Sequence, residues 1–460
     1  MATENEIVRG RIFQYLASVT GALTMMSFGI NACWTSPFVT YLKSNSSIIP
    51  MTSNEVAWCI ISPGIGGIIG APIAAYFADK IGRKYTILMM APPVFFSQLS
   101  IGYVRNVWVL FILRLIIGVA DGACFTVVPM YIGEISAPKI RGFLSSLISF
   151  FFVLGVLLIN TLGCFLSIFS CSIICASVPA IHFLGFIFMP ESPYYYIKVN
   201  DIKAAKQALI TLRNTVNVEE DLKVICDAVK LEEEMVKNTK FTDIFTVPSN
   251  RKAVSIYIIL SLALAGCAKA PVLSYTKMIF EETGSSISSI LSTIVFCTVE
   301  LVVMIFTTYF IIDRFGKRYL TIISTAGCSI TLFVMSAYFF AKDFDYDVKH
   351  YLNWLPLTSL SLYSILFSIG LSFTQICYLS ELFPTNVKAN ALCSAEIFIL
   401  FINSITVKIF QVTNDEFNSL SVSFLCFSVL CMIMLGFIVK YVPETKGMTL
   451  EEIQLFLKHK

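Results

Sequence analysis

The sequence predicts an all-α membrane protein of twelve transmembrane helices in two six-helix halves, and two observations support this prediction. Of the 460 residues, 56% are hydrophobic and only 14% are charged. A soluble domain has roughly 25% charged residues, so most of this exterior must face lipid. The charged string DKIGRK at residues 79–84 also returns as DRFGKR at residues 313–318, each time between two apolar runs. A repeat of about half the chain indicates a duplicated fold.

Two further pairs of segments extend the repeat in the same order. EISAPKIR at residues 134–141 matches ELFPTNVK at 381–388, and PESP at 190–193 matches PET at 443–445. Because all three pairs lie at the ends of apolar runs, the repeat marks equivalent helix ends in the two halves.

Twelve stretches are long enough to span a bilayer, which takes about 20 mainly apolar residues. Six precede the polar stretch 191–252, and six follow it. The predicted spans are 12–33, 56–78, 85–103, 108–131, 142–163, 167–189, 253–276, 287–312, 319–341, 355–380, 389–412 and 419–442.

The polar stretch has helical periodicity and many charges, which predicts short amphipathic helices at the membrane surface. The predicted organisation is an N-terminal half at 1–190, a linker at 191–252, a C-terminal half at 253–445 and a tail at 446–460.

The basic residues of the short loops predict the orientation. Nine Lys and Arg residues lie on one side and five on the other. The positive-inside rule places the richer side in the cytoplasm, together with both termini and the linker. The single N-x-S/T sequon, at Asn45, falls on the opposite side, where glycosylation is expected.

Composition argues against several other classes of protein. The net charge is only +3, and no basic cluster with interleaved aromatic residues indicates a nucleic-acid partner. The 14 cysteines lie mostly in apolar runs without CxxC pairs, which favours buried packing over a metal site or disulfides. No Ser-His-Asp order, metal cluster or Walker loop is present, so neither an enzyme nor a cofactor is expected. His182, in the sixth span, is interpreted as a packed core residue rather than a proton relay.

Several motifs resemble one family as a set. Residues 114–142, 190–193 and 443–452 resemble the signature segments of the sugar porters of the major facilitator superfamily. Residues 34–37, 274–276 and 381–388 are most similar to the insect facilitated trehalose transporter branch. The resemblance covers residues 12–455. It implies a monomeric plasma-membrane facilitator whose halves rock around a central site for a sugar or polyol.

The resemblance also implies a gate at the cytoplasmic ends of the helices. Gly82 and Gly316 are expected to permit tight turns there. A static topology signal is the alternative interpretation of these charges. The implied gate residues are Arg83, Glu134, Arg141, Glu191, Lys317, Glu381, Lys388 and Glu444.

One position bears on energetic coupling. Arg114 matches the buried arginine of the fourth helix of the family. Asn31 stands where proton-coupled sugar porters have an aspartate that pairs with this arginine. Because an amide does not take up a proton near pH 7, Asn31 favours facilitated diffusion.

The sugar-contact positions of the family are largely replaced. The seventh-helix contact positions hold Leu264, Ala265, Ala268 and Ala270, none of which has a side chain that hydrogen-bonds a hydroxyl. Four or more missing hydrogen bonds at about 0.5–1.5 kcal/mol each total roughly 2–6 kcal/mol. Transport of a different or charged solute and a non-transporting sensor are therefore the alternatives to sugar transport.

Charged residues within the spans need partners or a function, since each costs at least about 2.5–3.5 kcal/mol to insert. Asp121 and Lys269 are hypothesised to face the cavity. The alternative is that Asp121 neutralises Arg114 and Lys269 reaches a carbonyl or the interface. Glu300 and Glu396 are each expected to pair with Lys408 or to lie near a helix end. The predicted substrate-binding residues are Asn31, Asp121, Ser149, Lys269, Gln375 and Asn403.

Overall fold

The computed structural model describes residues 12–215, 217–237, 243–310, 316–344, 351–383, 385–446, 448, 452–453 and 456. Within these residues the protein is built from helices. In chain order they are α1 Ile12–Cys33, α2 Val39–Lys43, α3 Ser53–Lys80, α4 Arg83–Ile101, α5 Val107–Ile135, α6 Arg141–Phe165, α7 Ile168–Phe186, α8 Pro193–Lys198, α9 Ile202–Arg213, α10 Glu219–Lys237, α11 Asp243–Thr246, α12 Pro248–Gly266, α13 Lys269–Ser274, α14 Thr276–Thr283, α15 Ser289–Phe310, α16 Lys317–Asp343, α17 Leu355–Ile369, α18 Leu371–Leu382, α19 Thr385–Phe417 and α20 Leu420–Tyr441.

The predicted all-α membrane fold is confirmed. Eleven stretches of the described chain are long and apolar enough to cross a membrane, and each coincides with a predicted span. The remaining predicted span, 85–103, coincides with α4. Two prolines and the buried polar residues Thr86, Ser97 and Gln98 lower the hydropathy of α4. Because α4 packs on α5 and α7, these groups do not have to face lipid.

Glycines let the N-terminal helices approach closely. A Cβ atom at Gly118 of α5 would lie 2.1 Å from the carbonyl oxygen of Pro63 in α3. One at Gly29 of α1 would lie 2.0 Å from the carbonyl oxygen of Phe152 in α6. Small residues at such contacts are typical of packing between membrane helices.

Contacts between the two halves are made by a few helices. In the N-terminal half, α1 packs on α5, α6 and α7. In the C-terminal half, α16 packs on α17 and α20, and α12 packs on α18 and α20. The contacts of α3 with α19 and of α6 with α15 join the halves.

The bundle has two ends, which are named here by their residues. The basic face contains the α3–α4 and α5–α6 loops, Gly316 and helices α8 to α11. The sequon face contains the α1–α3 connection with Asn45, the α4–α5 and α6–α7 loops, and the segments before α15 and α20. Asn45 is exposed there.

Two predicted spans are each broken into two helices. In the span 253–276, Ala268 has φ +57° and separates α12 from α13. The break has a local cause, because Pro271 has no N–H to donate to the carbonyl of Cys267 four residues earlier. The Tyr363 hydroxyl donates to that carbonyl instead, at 2.7 Å. The span 355–380 breaks at Gly370 between α17 and α18.

Candidate functional site

The loop of the first DKIGRK copy is organised by Glu191. Its carboxylate accepts hydrogen bonds from the backbone N–H groups of Arg83 at 3.1 Å and Lys84 at 3.0 Å. An acidic group at this position stabilises the N-terminal end of α4. Burial raises the pKa of Glu191, and the hydrogen bonds from Ser192 and Lys84 and the charge of Arg83 act against that rise. Glu191 therefore caps α4 despite a desolvation cost.

Gly82 of this loop has φ +98°, and a Cβ atom there would lie 2.2 Å from a carboxylate oxygen of Glu191. A glycine is thus required both by the backbone and by the space that Glu191 occupies.

Arg83 is the centre of the ion pairs at this end of the N-terminal half. Only 5% of its surface is exposed. Its guanidinium contacts Glu134 at 3.0 Å and Asp79 at 3.4 Å. Glu134 also accepts a hydrogen bond from the Ser192 hydroxyl. These contacts fasten α3, α4 and α5 to the segment before α8.

The C-terminal half repeats this arrangement. Glu444 accepts hydrogen bonds from the backbone N–H groups of Lys317 at 3.1 Å and Arg318 at 3.2 Å. Lys317 also pairs with Glu381. Gly316 differs from Gly82, because its φ is −66° and only the space taken by Glu444 requires a glycine. The expected tight turn at Gly316 is therefore not one that needs a positive φ.

The remaining predicted gate residues differ in the contacts that the structure describes for them. Arg141 donates to the carbonyl of Ser136 at 3.5 Å. The side chain of Lys388 and residues 313–315 lie outside the described residues. Both described ion pairs, Arg83–Glu134 and Lys317–Glu381, join helices of the same half. Pairing across the halves stays a prediction.

At the sequon face, side-chain hydrogen bonds join the two halves. Lys277 of α14 donates to the carbonyl of Pro37 at 3.2 Å. The Thr40 hydroxyl of α2 donates to Glu281 of α14. The ammonium of Lys408 on α19 donates to the side chain of Asn54 on α3. These contacts close this end of the interface between the halves.

In the N-terminal half, Asn31 stands between two buried charges. The Arg114 guanidinium donates to the carbonyl of Asn31 at 2.7 Å and lies 5.3 Å from the ring centre of Trp34. The Asn31 side-chain amide donates to a carboxylate oxygen of Asp121 at 2.9 Å. The three predicted residues therefore lie together.

In the C-terminal half, Lys269 begins α13 directly after the break. Its ammonium contacts a carboxylate oxygen of Glu300 on α15 at 2.7 Å and lies 5.0 Å from the ring centre of Phe367. Glu300 therefore pairs with Lys269 and not with Lys408, whose described partners are Asn54 and Gln411.

The predicted binding residue Gln375 belongs to a polar cluster that connects the two broken spans, and the sequence did not indicate its other members. The Gln375 amide of α18 donates to the Ser261 hydroxyl at 3.1 Å and to the Tyr257 hydroxyl at 3.3 Å, both on α12. The i, i+4 spacing of Tyr257 and Ser261 places them on one helix face, and this was the available signal. Asn403 is half-buried on α19, while Ser149 is exposed on α6.

The described residues contain no group of three or more His, Cys, Asp or Glu side chains that could hold a metal ion. His182 is fully buried, and one ring nitrogen contacts the carbonyl of Thr20 at 2.7 Å. The site is therefore composed of paired charges, amides and hydroxyls.

Comparison with known proteins identifies relatives along nearly the whole chain. Residues 7–457 match the model of the family described as Sugar (and other) transporter. Facilitated trehalose transporter Tret1 of Bombyx mori is 31% identical over 451 residues, which cover 96% of this chain and 86% of that protein. Trehalose transporter 1 of Drosophila melanogaster is 29% identical over 96% of this chain but only 51% of that protein. The chain thus spans about half the length of several curated relatives.

Solved structures with similar folds are also known. The inward-open xylose transporter XylE of E. coli superposes with a TM-score of 0.76 at 22% identity, covering 95% of this chain and 98% of that chain. The proton:xylose symporter XylE of the major facilitator superfamily, bound to 6-bromo-6-deoxy-D-glucose, gives 0.74 at 21% identity, covering 97% and 99%. The predicted major facilitator fold is confirmed.

Proposed function

The chain belongs to the Sugar (and other) transporter family, and we propose that it moves a sugar or polyol across the plasma membrane by facilitated diffusion. It is a multi-pass membrane transporter and not an enzyme. One observation carries the proposal: the halves contact each other across the sequon face, while the two described ion pairs between predicted gate residues each stay within one half. A carrier that opens to one side at a time has this arrangement in one of its end states.

The gate that we propose lies at the basic face, which we place in the cytoplasm with both termini. When the sequon face opens, the charged residues there would exchange partners within one half for partners across the halves. This set comprises Arg83, Glu134, Arg141, Glu191, Lys317, Glu381, Lys388 and Glu444. The exchange would let one network hold each half rigid in one state and close the bundle in the other.

The substrate site that we propose lies between the halves, next to the two helix breaks. Broken helices near the midplane are the usual place for a carrier to bind its solute. The proposed residues are Asn31, Asp121, Ser149, Lys269, Gln375 and Asn403. The proposed parts of the chain are a half at 1–190, a linker at 191–252, a half at 253–445 and a tail at 446–460, which act together as a monomer.

An uptake panel in oocytes tests the proposed activity. We expect saturable uptake of labelled trehalose, glucose or a polyol that is unchanged when the proton gradient is collapsed. The comparison is with water-injected oocytes, and organic anions complete the panel. Uptake of an anion alone would replace the substrate class. No uptake of any solute by protein at the cell surface would favour a sensor.

Glycosylation at Asn45 tests the proposed orientation. Asn45 is exposed in a loop of the sequon face. If this face is extracellular, Asn45 is accessible as a glycosylation acceptor while the protein passes through the secretory pathway. We expect glycosidase treatment to increase the mobility of the protein from insect cells, and the Asn45→Gln variant to migrate like the treated protein. An untreated protein that already migrates like Asn45→Gln would contradict the orientation.

A further inference from the structure

Glu396 lies on α19, inside a membrane-spanning stretch. Among the described residues, no ion pair or hydrogen bond involves its carboxylate. An ionisable group within a membrane is costly and persists when it is paired or functional. Glu396 is therefore a candidate for binding a positively charged group of a solute.

The other charges within the spans already have partners. Lys269 contacts Glu300 at 2.7 Å. Arg114 and Asp121 are joined through Asn31. Lys408 is held at the sequon face by Asn54 and Gln411. The described part of the bundle therefore leaves no intramembrane cation to neutralise Glu396.

The position of Glu396 on its helix places it toward the interior. Phe401 and Ile405 are exposed and mark the lipid-facing side of α19. At about 100° per residue, Glu396 lies on the opposite side, in line with Phe410, whose ring stacks on Tyr275 of the helix-break region. Leu392, one turn closer to the basic face on the same side, is 42% exposed. The inner side of α19 is therefore accessible one turn from Glu396, toward the basic face.

Neutral hydrogen-bonding groups lie beside Glu396. Helix α19, which carries Glu396, packs on α12, the helix that carries Tyr257 and Ser261. Tyr257 and Ser261 in turn hold the amide of Gln375. These side chains can hydrogen-bond hydroxyl groups, while the carboxylate adds a negative charge that an uncharged sugar does not neutralise.

Building on the proposed function, we propose that Glu396, Tyr257, Ser261 and Gln375 form a subsite for a protonated amine carried on a hydroxyl-rich solute, such as an amino sugar. The amine would neutralise Glu396, and the hydroxyl and amide groups would bind neighbouring hydroxyls. The same charge excludes anionic sugars. This subsite supplies the hydroxyl-binding groups that the apolar side chains of Leu264 and Ala265 do not provide.

The test measures ligand-induced thermal stabilisation of the purified full-length protein in detergent. Glucosamine is compared with N-acetylglucosamine, which has a neutral nitrogen, at about pH 7, still below the usual pKa of about 7.7–8.0 of an α-amino group. We expect half-maximal stabilisation at a concentration about tenfold lower for glucosamine, the effect of one charge-assisted hydrogen bond. In Glu396→Gln the two concentrations should become equal. The matched control, Glu416→Gln, changes an exposed glutamate of the same helix and should keep the preference.

A second variant separates the effect of the charge from that of the side chains that bind hydroxyl groups. Ser261→Ala should weaken both ligands to the same degree. The proposal is overturned if the native protein shows no preference for glucosamine or if Glu396→Gln retains it. Uptake assays are independent of this result. A Glu396-dependent preference for glucosamine without any uptake supports the subsite but refutes transport. Uptake of glucose without that preference supports transport but refutes the subsite.

Discussion

Replacing Lys269 with methionine is expected to lower uptake by at least about 100-fold, and so is replacing Glu300 with glutamine. Each change leaves the other member of a buried pair without its counter-charge. Breaking a buried pair in this way costs about 3–5 kcal/mol, equivalent to a factor of roughly 150 to 5,000. In Lys269→Met the carboxylate of Glu300 would remain buried, with one of its oxygens already lacking a partner. In Glu300→Gln the ammonium would be left beside Phe296 and Phe367.

The double variant Lys269→Met/Glu300→Gln separates an effect on folding from an effect on transport. Replacing both members of a buried pair is often neutral, so the amount of protein at the cell surface should recover. Uptake per surface molecule should recover only in part, because Lys269 begins α13 at the break that we place at the substrate site. The measurements are surface labelling and initial uptake rates of the transported solute.

A matched control is available on α20. Lys440 is an exposed lysine near the end of a spanning helix, and Lys440→Met should change uptake little, since exposed charges contribute little. Unchanged uptake per molecule in Lys269→Met would refute a role for this lysine in transport.

The sequence predicted the spans well because hydropathy is a property of long stretches. The breaks in two of them were missed for the opposite reason, since each depends on a single residue and a distant partner. Pro271 alone does not specify an interruption, because its effect depends on Tyr363, which satisfies the freed carbonyl. Gly370 needs the close approach of Leu320 on α16, whose carbonyl oxygen lies 2.4 Å from where a Cβ atom would be.

The pairing of the charges in the candidate site also depends on residues that are distant in the sequence. The sequence identified Lys269, Glu300, Glu396 and Lys408 as intramembrane charges but did not decide which of them pair. Pairing depends on which helix faces adjoin, and the contact between α13 and α15 is not encoded by spacing along the chain. The loop charges were easier, because the repeat placed Glu191 and Glu444 at equivalent helix ends.

A glycine-to-alanine series in the repeated loop should separate backbone strain from loss of space. In Gly82→Ala, the new methyl group meets the Glu191 carboxylate at 2.2 Å, and φ is +98°. A positive φ costs roughly 1–2 kcal/mol for an alanine, and displacing the cap adds about 0.5–2 kcal/mol. Gly82→Ala should therefore lose about 1.5–4 kcal/mol of stability. In Gly316→Ala only the contact with Glu444 is disturbed, and the loss should be about half as large.

Gly142→Ala completes the series as its control, because the added Cβ would meet no atom within 4 Å beyond its chain neighbours and its own helix backbone, and its φ is not positive. The measurement is thermal unfolding of the purified variants in one detergent, with uptake measured in parallel. The expected order of destabilisation is Gly82→Ala, then Gly316→Ala, then Gly142→Ala with almost none. Equal losses at Gly82 and Gly316 would show that the carboxylate contact alone requires both glycines. Because Glu191 fastens the segment before α8 to α4, we expect the loss in Gly82→Ala to reach uptake as well, through a loosened end of the N-terminal half.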